Sequence, residues 1–136
     1  KNPANLIPSV MEVASGKRDK LLVYGNNFDT VDGTGVRDYI HVSDLARAHL
    51  ASLDLLSKNQ SATINLGSEK QYSVMEVIRL TEKITGKEIP YEIVDKREGD
   101  PDKVYASSEN AHNLLGWSAK DSELDNIIET TWRIYK

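Results

Sequence analysis

Two arginines stand where a polar loop meets an apolar strand pattern. Arg37 precedes the run Tyr39–Val42, and Arg97 opens the segment Arg97–Asp100 after a predicted strand. A guanidinium presents a planar fork of N–H donors to phosphate oxygens, and each charge-assisted hydrogen bond contributes about 1.5–3 kcal/mol. The two arginines therefore have the chemistry to neutralise a diphosphate, and Asp100 has the acceptor oxygens to hold a pair of ribose hydroxyls.

The same arginines also have carboxylates beside them in the sequence. Arg37 is followed by Asp38, and Arg97 is close to Glu98 and Asp100. Local ion pairs of this kind are common on protein surfaces and contribute little to stability. On composition alone, we favour ion pairing over ligand binding for both arginines.

Other arrangements that carry chemistry are missing. The sequence has no Gly-x-Gly-x-x-Gly and no Walker sequence, and the loop Asp32–Gly35 precedes a predicted strand rather than a helix, which argues against a cofactor loop there. The histidines match no common metal-ligand spacing and cysteine is absent, so we predict no metal site. Serines near predicted helix starts are interpreted as caps rather than nucleophiles.

Length and composition are those of a globular chain. The 136 residues suit one domain, residues 1–136, but are few for a complete cofactor-dependent enzyme. A net charge of −4 argues against nucleic-acid binding, and the apolar runs are too short to span a membrane. The absence of cysteine fits a reducing compartment, and we expect a cytoplasmic protein. Because the chain starts at Lys1 rather than Met, we expect an N-terminal portion to be missing.

The alternation of helical and strand patterns predicts an α/β chain in which helices cover a small mixed sheet. Ser43 is predicted to cap the second helix, and Ser73 with Glu76 to form a capping box at the third. The predicted helices lie near residues 6–16, 43–56, 73–86, 111–116 and 122–135. The predicted strands cover residues 21–24, 39–42, 62–66, 90–94 and 104–106, with a loop over 25–36.

The order of these segments is similar to that of the UDP-glucose 4-epimerase family, in the extended short-chain dehydrogenase/reductase superfamily. The strongest part is Gly-Thr-Gly-Val-Arg-Asp-Tyr-Ile-His-Val at 33–42, combined with Arg-Glu-Gly-Asp at 97–100. Weaker pieces occur in the same order at Asn5–Pro8, Leu21–Asn26, Asp44–Ala46, Asn65–Ser68, Tyr72–Val74 and Leu115–Trp117. Since the superfamily shares Arg-Asp-Tyr-Ile-His-Val-x-Asp, the alternatives left open are another nucleotide-sugar epimerase or dehydratase, a non-catalytic UDP-sugar-binding fragment, and an interaction domain.

The resemblance implies a two-part enzyme of which this chain is the C-terminal, nucleotide-sugar-binding part. In the family, an N-terminal Rossmann domain holds NAD and carries a catalytic Tyr-x-x-x-Lys, and this chain contains no such sequence. The resemblance thus implies no catalytic and no cofactor-binding residue here, NAD bound by the missing domain, and an isolated chain without activity. The complete isomerase would interconvert UDP-glucose and UDP-galactose through a 4-keto intermediate, as a homodimer joined by the missing domain.

Carried over position by position, the resemblance assigns part of the chain to the nucleoside. Asn5 and Leu6 would contact the UDP portion of the substrate. Leu22, Val23 and Tyr24 would frame the uracil, largely through backbone groups and the aromatic ring of Tyr24.

The resemblance assigns a second group to the phosphates and sugars. Arg37 would bind the diphosphate, Arg97 would add a phosphate contact and Asp100 would hold the ribose, which reverses the preference for ion pairing. Tyr39 is left open between lining the pocket and packing in the core. Val104 stands four residues after Asp100, where the family places a residue beside the sugar. Because valine is small, we predict a pocket that admits N-acetylated sugars.

Overall fold

The computed structural model describes residues 5–136, which contain five helices and five short strands. The helices are α1 (Leu6–Ala14), α2 (Val42–Ser57), α3 (Val74–Thr85), α4 (Glu109–Leu115) and α5 (Leu124–Tyr135). The strands are β1 (Leu21–Tyr24), β2 (Val36–Arg37), β3 (Tyr72–Ser73), β4 (Tyr91–Val94) and β5 (Lys103–Val104). The predicted α/β class with a small mixed sheet is confirmed. Within this range, none of the helices has the length and apolar character needed to cross a bilayer.

The chain folds as two compact units. The first comprises Lys1–Arg37, described from residue 5, together with Tyr72–Val104 and Leu124–Lys136. The second comprises Asp38–Gln71 and Tyr105–Glu123. The first unit therefore contains β1–β5 with α1, α3 and α5, whereas the second contains α2 and α4.

The core of the first unit forms where α1 packs on β1 and on helices α3 and α5. β1 pairs in parallel with β4, from Leu21 opposite Tyr91 to Tyr24 opposite Val94. Side chains alternate along β1, so Leu21 and Val23 are buried while Leu22 and Tyr24 are exposed. Burial of apolar side chains stabilises this unit; the cluster consists of Val10, Val13, Ala14, Leu21, Val23, Ile78 and Ile89.

A second, three-stranded sheet of the first unit holds Arg37. β2 lies between β3 and β5, antiparallel to β3 and parallel to β5. Arg37 is opposite Tyr72 on one side and Val104 on the other, so the three side chains leave the sheet on one face. The predicted strand at residues 39–42 is wrong, because β2 ends at Arg37 and α2 begins at Val42.

His41 explains why a helix begins inside the predicted strand. Its ring Nδ1 accepts a hydrogen bond from the Ser43 N–H at 3.1 Å, which caps the N-terminus of α2. Its own N–H donates to the Ser122 hydroxyl at 2.8 Å rather than to a neighbouring strand. His41 is therefore the N-cap residue, and the prediction that Ser43 fills this role is wrong.

Residues 62–66 form no strand in the described structure, contrary to the prediction. Alternating apolar residues form a strand only where another strand accepts and donates the backbone hydrogen bonds. None of β1–β5 pairs with this segment. Ile64 and Leu66 instead pack against the buried cluster of the second unit, which consists of Ala48, Ala111 and Trp117.

The ends of α3 and α4 follow the sequence closely. The Ser73 hydroxyl accepts from the Glu76 N–H at 3.0 Å and the Glu76 carboxylate accepts from the Ser73 N–H at 2.7 Å, so the predicted capping box is confirmed. Gly86 caps the C-terminus of α3 and Gly116 that of α4, with φ of +67° and +59° in the left-handed region that favours glycine. α5 begins at Leu124 rather than near residue 122.

A buried carboxylate organises the second unit. Asp44 is fully buried and accepts hydrogen bonds from the N–H groups of Lys120 and Asp121, both at 2.9 Å. The Ser122 hydroxyl and the Arg47 guanidinium also donate to it. Burial by itself raises the pKa of Asp44, but these donors and the charge of Arg47 favour the carboxylate and hold the pKa below its ordinary value.

We expect Asp44→Asn to lower the free energy of unfolding by about 2 kcal/mol, because an amide lacks the charge-assisted hydrogen bonds. Asp54→Asn, at an exposed position of the same helix, is the matched control and should change it by less than about 0.5 kcal/mol. The depressed pKa of Asp44 contributes stability above the unfolded pKa of about 3.9, and this contribution is lost as the pH falls through the folded value. Urea denaturation across this pH range measures the effect. Equal losses of unfolding free energy for Asp44→Asn and Asp54→Asn at pH near 7 would contradict the stabilising role of Asp44.

Candidate functional site

The guanidinium of Arg97 lies over the ring of Tyr24, the last residue of β1. The guanidinium carbon is 3.7 Å from the ring centroid. A cation–π contact of this kind uses the face of the guanidinium and leaves its N–H donors pointing outward in the plane. Within residues 5–136, Arg97 forms no ion pair with Glu98 or Asp100. The positive charge of Arg97 is therefore not neutralised by its neighbours in the sequence.

A tight turn places Asp100 beside Arg97. The Asp100 N–H donates to the Arg97 carbonyl at 3.2 Å, which closes a four-residue turn. Gly99, at the third position, has φ of +82°, as a type II turn requires. The turn is exposed at Arg97 and half-buried at Asp100, so the guanidinium and the carboxylate are held on one short, constrained segment.

One edge of β1 presents backbone groups away from β4. The N–H of Leu21 donates to the Pro90 carbonyl at 2.8 Å, and the N–H of Gly25 donates to the Val94 carbonyl at 2.9 Å. Backbone groups alternate in direction along a parallel strand, so those of Leu22 and Tyr24 point to the opposite edge. Among β1–β5, no strand pairs with that edge. Val23, which the resemblance also assigns to the uracil, has its side chain buried in the core.

Arg37 is half-buried on β2 and has a neutral partner. Its Nη1 donates to the carbonyl of Val36 at 2.7 Å. No ion pair joins it to Asp38 in the described part of the chain; the Asp38 carboxylate accepts from the Ala106 N–H at 3.0 Å. The ion pairs favoured on composition alone are thus not formed at Arg37 or at Arg97.

Pairing of β2 with β5 brings Val104 next to Arg37, and the role of Val104 stays a prediction. Pairing of β2 with β3 brings Tyr72 to the other side of Arg37. Sequence reasoning missed Tyr72, because only the pairing of β2 with β3 makes it a neighbour of Arg37. Its position directly before the capping box is the one local signal that marks it as the start of an element.

A second cation–aromatic contact ties the loop after β1 to the loop after β4. The Lys96 Nζ lies 4.0 Å from the centroid of the Phe28 ring and 3.2 Å from an Asp102 carboxylate oxygen. The Asp102 carbonyl in turn accepts from the Val36 N–H at 2.9 Å. Sequence reasoning missed this linkage, since no local pattern relates residues so far apart. It connects the segment that carries Arg97 to the strand that carries Arg37.

The remaining predicted residues lie at the start of α1 and in the second unit. Asn5 is exposed and precedes α1 without using its side chain as a cap. Leu6 is half-buried against the apolar cluster of the first unit. Tyr39 is half-buried in the second unit, and its role stays a prediction. Among residues 5–136, no group of three or more His, Asp or Glu side chains is arranged to hold a metal ion.

Comparison with known proteins defines the class. The sequence pattern of the family described as GDP-mannose 4,6 dehydratase matches residues 2–131, and the chain belongs to this family. A curated UDP-glucose 4-epimerase from Pongo abelii is 49% identical over 135 residues. That alignment covers 98% of this chain and 38% of the relative's length. The chain therefore spans about 40% of the length of the relatives it matches, in their C-terminal part.

Solved structures of UDP-glucose 4-epimerases share the fold. The enzyme from Stenotrophomonas maltophila, with bound NAD and formylated UDP-arabinopyranose, is 40% identical with a TM-score of 0.93. The enzyme from Bifidobacterium longum, in complex with NAD+ and UDP, is 42% identical with a TM-score of 0.87. Both alignments cover 98% of this chain and 40% of the solved chain.

The turn from Arg97 to Asp100 depends on the left-handed backbone conformation of Gly99. Gly99→Ala should lower the free energy of unfolding by about 1–2 kcal/mol, because a side chain at φ of +82° is strained. Glu98→Ala, an exposed neighbour in the same turn, is the matched control and should change little. Urea denaturation measures both. The turn assignment is contradicted if Gly99→Ala is as neutral as its control.

Proposed function

We propose that this chain is the nucleotide-sugar-binding part of a UDP-glucose 4-epimerase and that it holds the UDP portion of the substrate. The observation that carries the proposal is the state of Arg37 and Arg97, whose partners are a backbone carbonyl and an aromatic ring. Two guanidinium groups without carboxylate partners, in one unit of the described chain, suit a ligand with two phosphates. Similarity to a UDP-glucose 4-epimerase solved with NAD+ and UDP supports the same substrate class.

The diphosphate contacts follow from the donors that remain. Arg97 keeps its in-plane donors, because the contact with Tyr24 uses only its face. Arg37 directs Nη1 to Val36 and has four further N–H donors. Phosphate oxygens accept such bonds at about 1.5–3 kcal/mol each, so both arginines contribute substantially to affinity.

The uridine contacts use β1 and the turn after β4. Uracil carries one N–H between two carbonyls, and the outward backbone groups of Leu22 and Tyr24 offer complementary donors and acceptors. Asn5, whose amide is not used as a helix cap, and Leu6 add contacts at the start of α1. The Asp100 carboxylate accepts from the ribose hydroxyls.

In the complete enzyme, the proposed reaction inverts C4 of the hexose, and NAD supplies the hydride chemistry. The described residues do not suit NAD, because none of the turns before α2–α5 contains the glycine-rich strand-to-helix link that cradles dinucleotide phosphates. We therefore assign no catalytic step to this chain. Its residues anchor UDP, and that binding energy orients the reacting sugar carbon.

We also propose that the complete protein is cytoplasmic and that it forms a homodimer. The dimer contacts would lie in the part of the relatives' length that this chain does not cover. The absence of cysteine is consistent with a reducing compartment. Another nucleotide-sugar epimerase or dehydratase is the alternative, since the family takes its description from a dehydratase. Identity of 49% to a UDP-glucose 4-epimerase favours the epimerase.

Calorimetric titration of the full-length protein with UDP tests the proposal. Arg37→Ala and Arg97→Ala should each weaken UDP binding about tenfold or more, because each removes charge-assisted bonds to phosphate. Arg133→Ala, an exposed arginine on α5, is the matched control and should leave the affinity unchanged. Absence of UDP binding by the wild type, or equal affinities for all three variants and the wild type, would contradict the proposal.

Val104 provides a test of sugar specificity. Val104→Tyr should depress activity on UDP-N-acetylglucosamine more than on UDP-glucose, because the larger side chain next to Arg37 takes the space of the N-acetyl group. Val31→Tyr, at a fully exposed valine of the loop after β1, is the control for the bulk of the added side chain. Activities of the full-length enzyme on both substrates give the ratio. Equal losses on both would contradict the assignment.

A further inference from the structure

The loop segment Asp32–Gly35 makes none of the proposed ligand contacts, yet its bonds reach β3 and α3. One oxygen of the Asp32 carboxylate accepts from the Thr34 N–H at 3.0 Å and from the Thr34 hydroxyl at 2.7 Å. The other oxygen accepts from the hydroxyl of Ser73, the residue that caps α3. Asp32 therefore joins the loop before β2 to the strand that pairs with β2.

The next residues of the segment supply acceptors to the first turn of α3. The Thr34 side chain is buried, and its hydroxyl oxygen accepts from the Met75 N–H at 3.4 Å. The Gly35 carbonyl accepts from the Val74 N–H at 3.2 Å. N–H groups in the first turn of a helix have no partner within the helix, so these bonds fix the loop against α3.

A close contact requires glycine at position 33, and Gly35 lies beside the side chain of Arg37. A side chain at Gly33 would place its Cβ 2.2 Å from the Asn26 carbonyl oxygen, and Gly33 has φ of +77°. A Cβ at Gly35 would lie 3.4 Å from Nη1 of Arg37. The guanidinium of Arg37 thus rests beside a residue that offers it no steric obstruction.

We propose that Asp32–Gly35 is a clamp that positions Arg37, with the Asp32 carboxylate as its central link and Asp32 as a positioning residue. The carboxylate holds Ser73, which pairs with Val36, so it fixes the register in which Arg37 lies opposite Tyr72. A slip of one residue would turn Arg37 to the opposite face of the sheet. The inference rests on the proposed function, since Arg37 is the proposed diphosphate-binding residue.

The test combines Asp32 and Arg37 substitutions in the full-length protein, with UDP as the titrant. Asp32→Ala should weaken binding about tenfold in the wild-type background and less than about twofold in the Arg37→Ala background, because it acts through Arg37. Asp32→Asn keeps an acceptor for Thr34 and should retain part of the affinity. Asp29→Ala, an exposed aspartate of the same loop, is the matched control. Equal losses in both backgrounds, or no loss in either, would overturn the proposal.

A ligand-free measurement separates this inference from the proposed function. Hydrogen exchange of the Val36 and Val74 backbone N–H groups should accelerate at least about tenfold in Asp32→Ala. The Val74 N–H donates to the Gly35 carbonyl of the clamp, and Val36 pairs with Ser73, which the Asp32 carboxylate holds. The Leu21 N–H of β1 donates to the Pro90 carbonyl, just before β4, and should exchange at the wild-type rate. If the wild type fails to bind UDP but this pattern appears, the clamp stands and the proposed function fails. Unchanged exchange at Val36 and Val74 overturns the clamp.

Discussion

Arg97 rests on the ring of Tyr24 and Arg37 donates to the carbonyl of Val36, so neither guanidinium is neutralised by a carboxylate among the described residues. Elsewhere in the described chain, Arg18 pairs with Glu12, and Arg47 pairs with Asp44 and Asp121. A ring face and a backbone carbonyl fix the geometry of a guanidinium without removing its net charge. The proposed binding of a diphosphate depends on this arrangement more than on any other feature.

The backbone of the first unit enforces the arrangement at several points. The turn closed by Gly99 holds the Arg97 segment, and the register of β2 fixes Arg37 between two strands. Lys96 joins the two regions. Its ammonium group contacts the Phe28 ring and pairs with the Asp102 carboxylate, and the Asp102 carbonyl accepts a hydrogen bond from Val36 of β2. These links all lie in short strands and loops, whereas the buried apolar cluster of the first unit comes from α1, β1, α3 and Ile89.

Elements that depend on contacts between residues close in the sequence, such as the capping box at Ser73, could be predicted. Two strand predictions failed. The ring of His41 caps a helix that begins inside the first of them, while the His41 N–H bonds to distant Ser122. Residues 62–66 have no strand partner in the described chain. Resemblance to a family drew attention to Tyr24 and Arg97 separately. Their stacking was not predictable, because it joins a strand end to a turn from a distant part of the chain. The division into two units could not be predicted either, because each unit combines segments that are separated in sequence.

A crystal structure of the full-length protein with UDP tests the central claim most directly. The account predicts diphosphate oxygens hydrogen-bonded to the guanidinium groups of Arg37 and Arg97, with the uracil on the outward edge of β1 at Leu22 and Tyr24. UDP bound elsewhere, with Arg37 still donating only to Val36 and Arg97 in contact only with the Tyr24 ring, would contradict it.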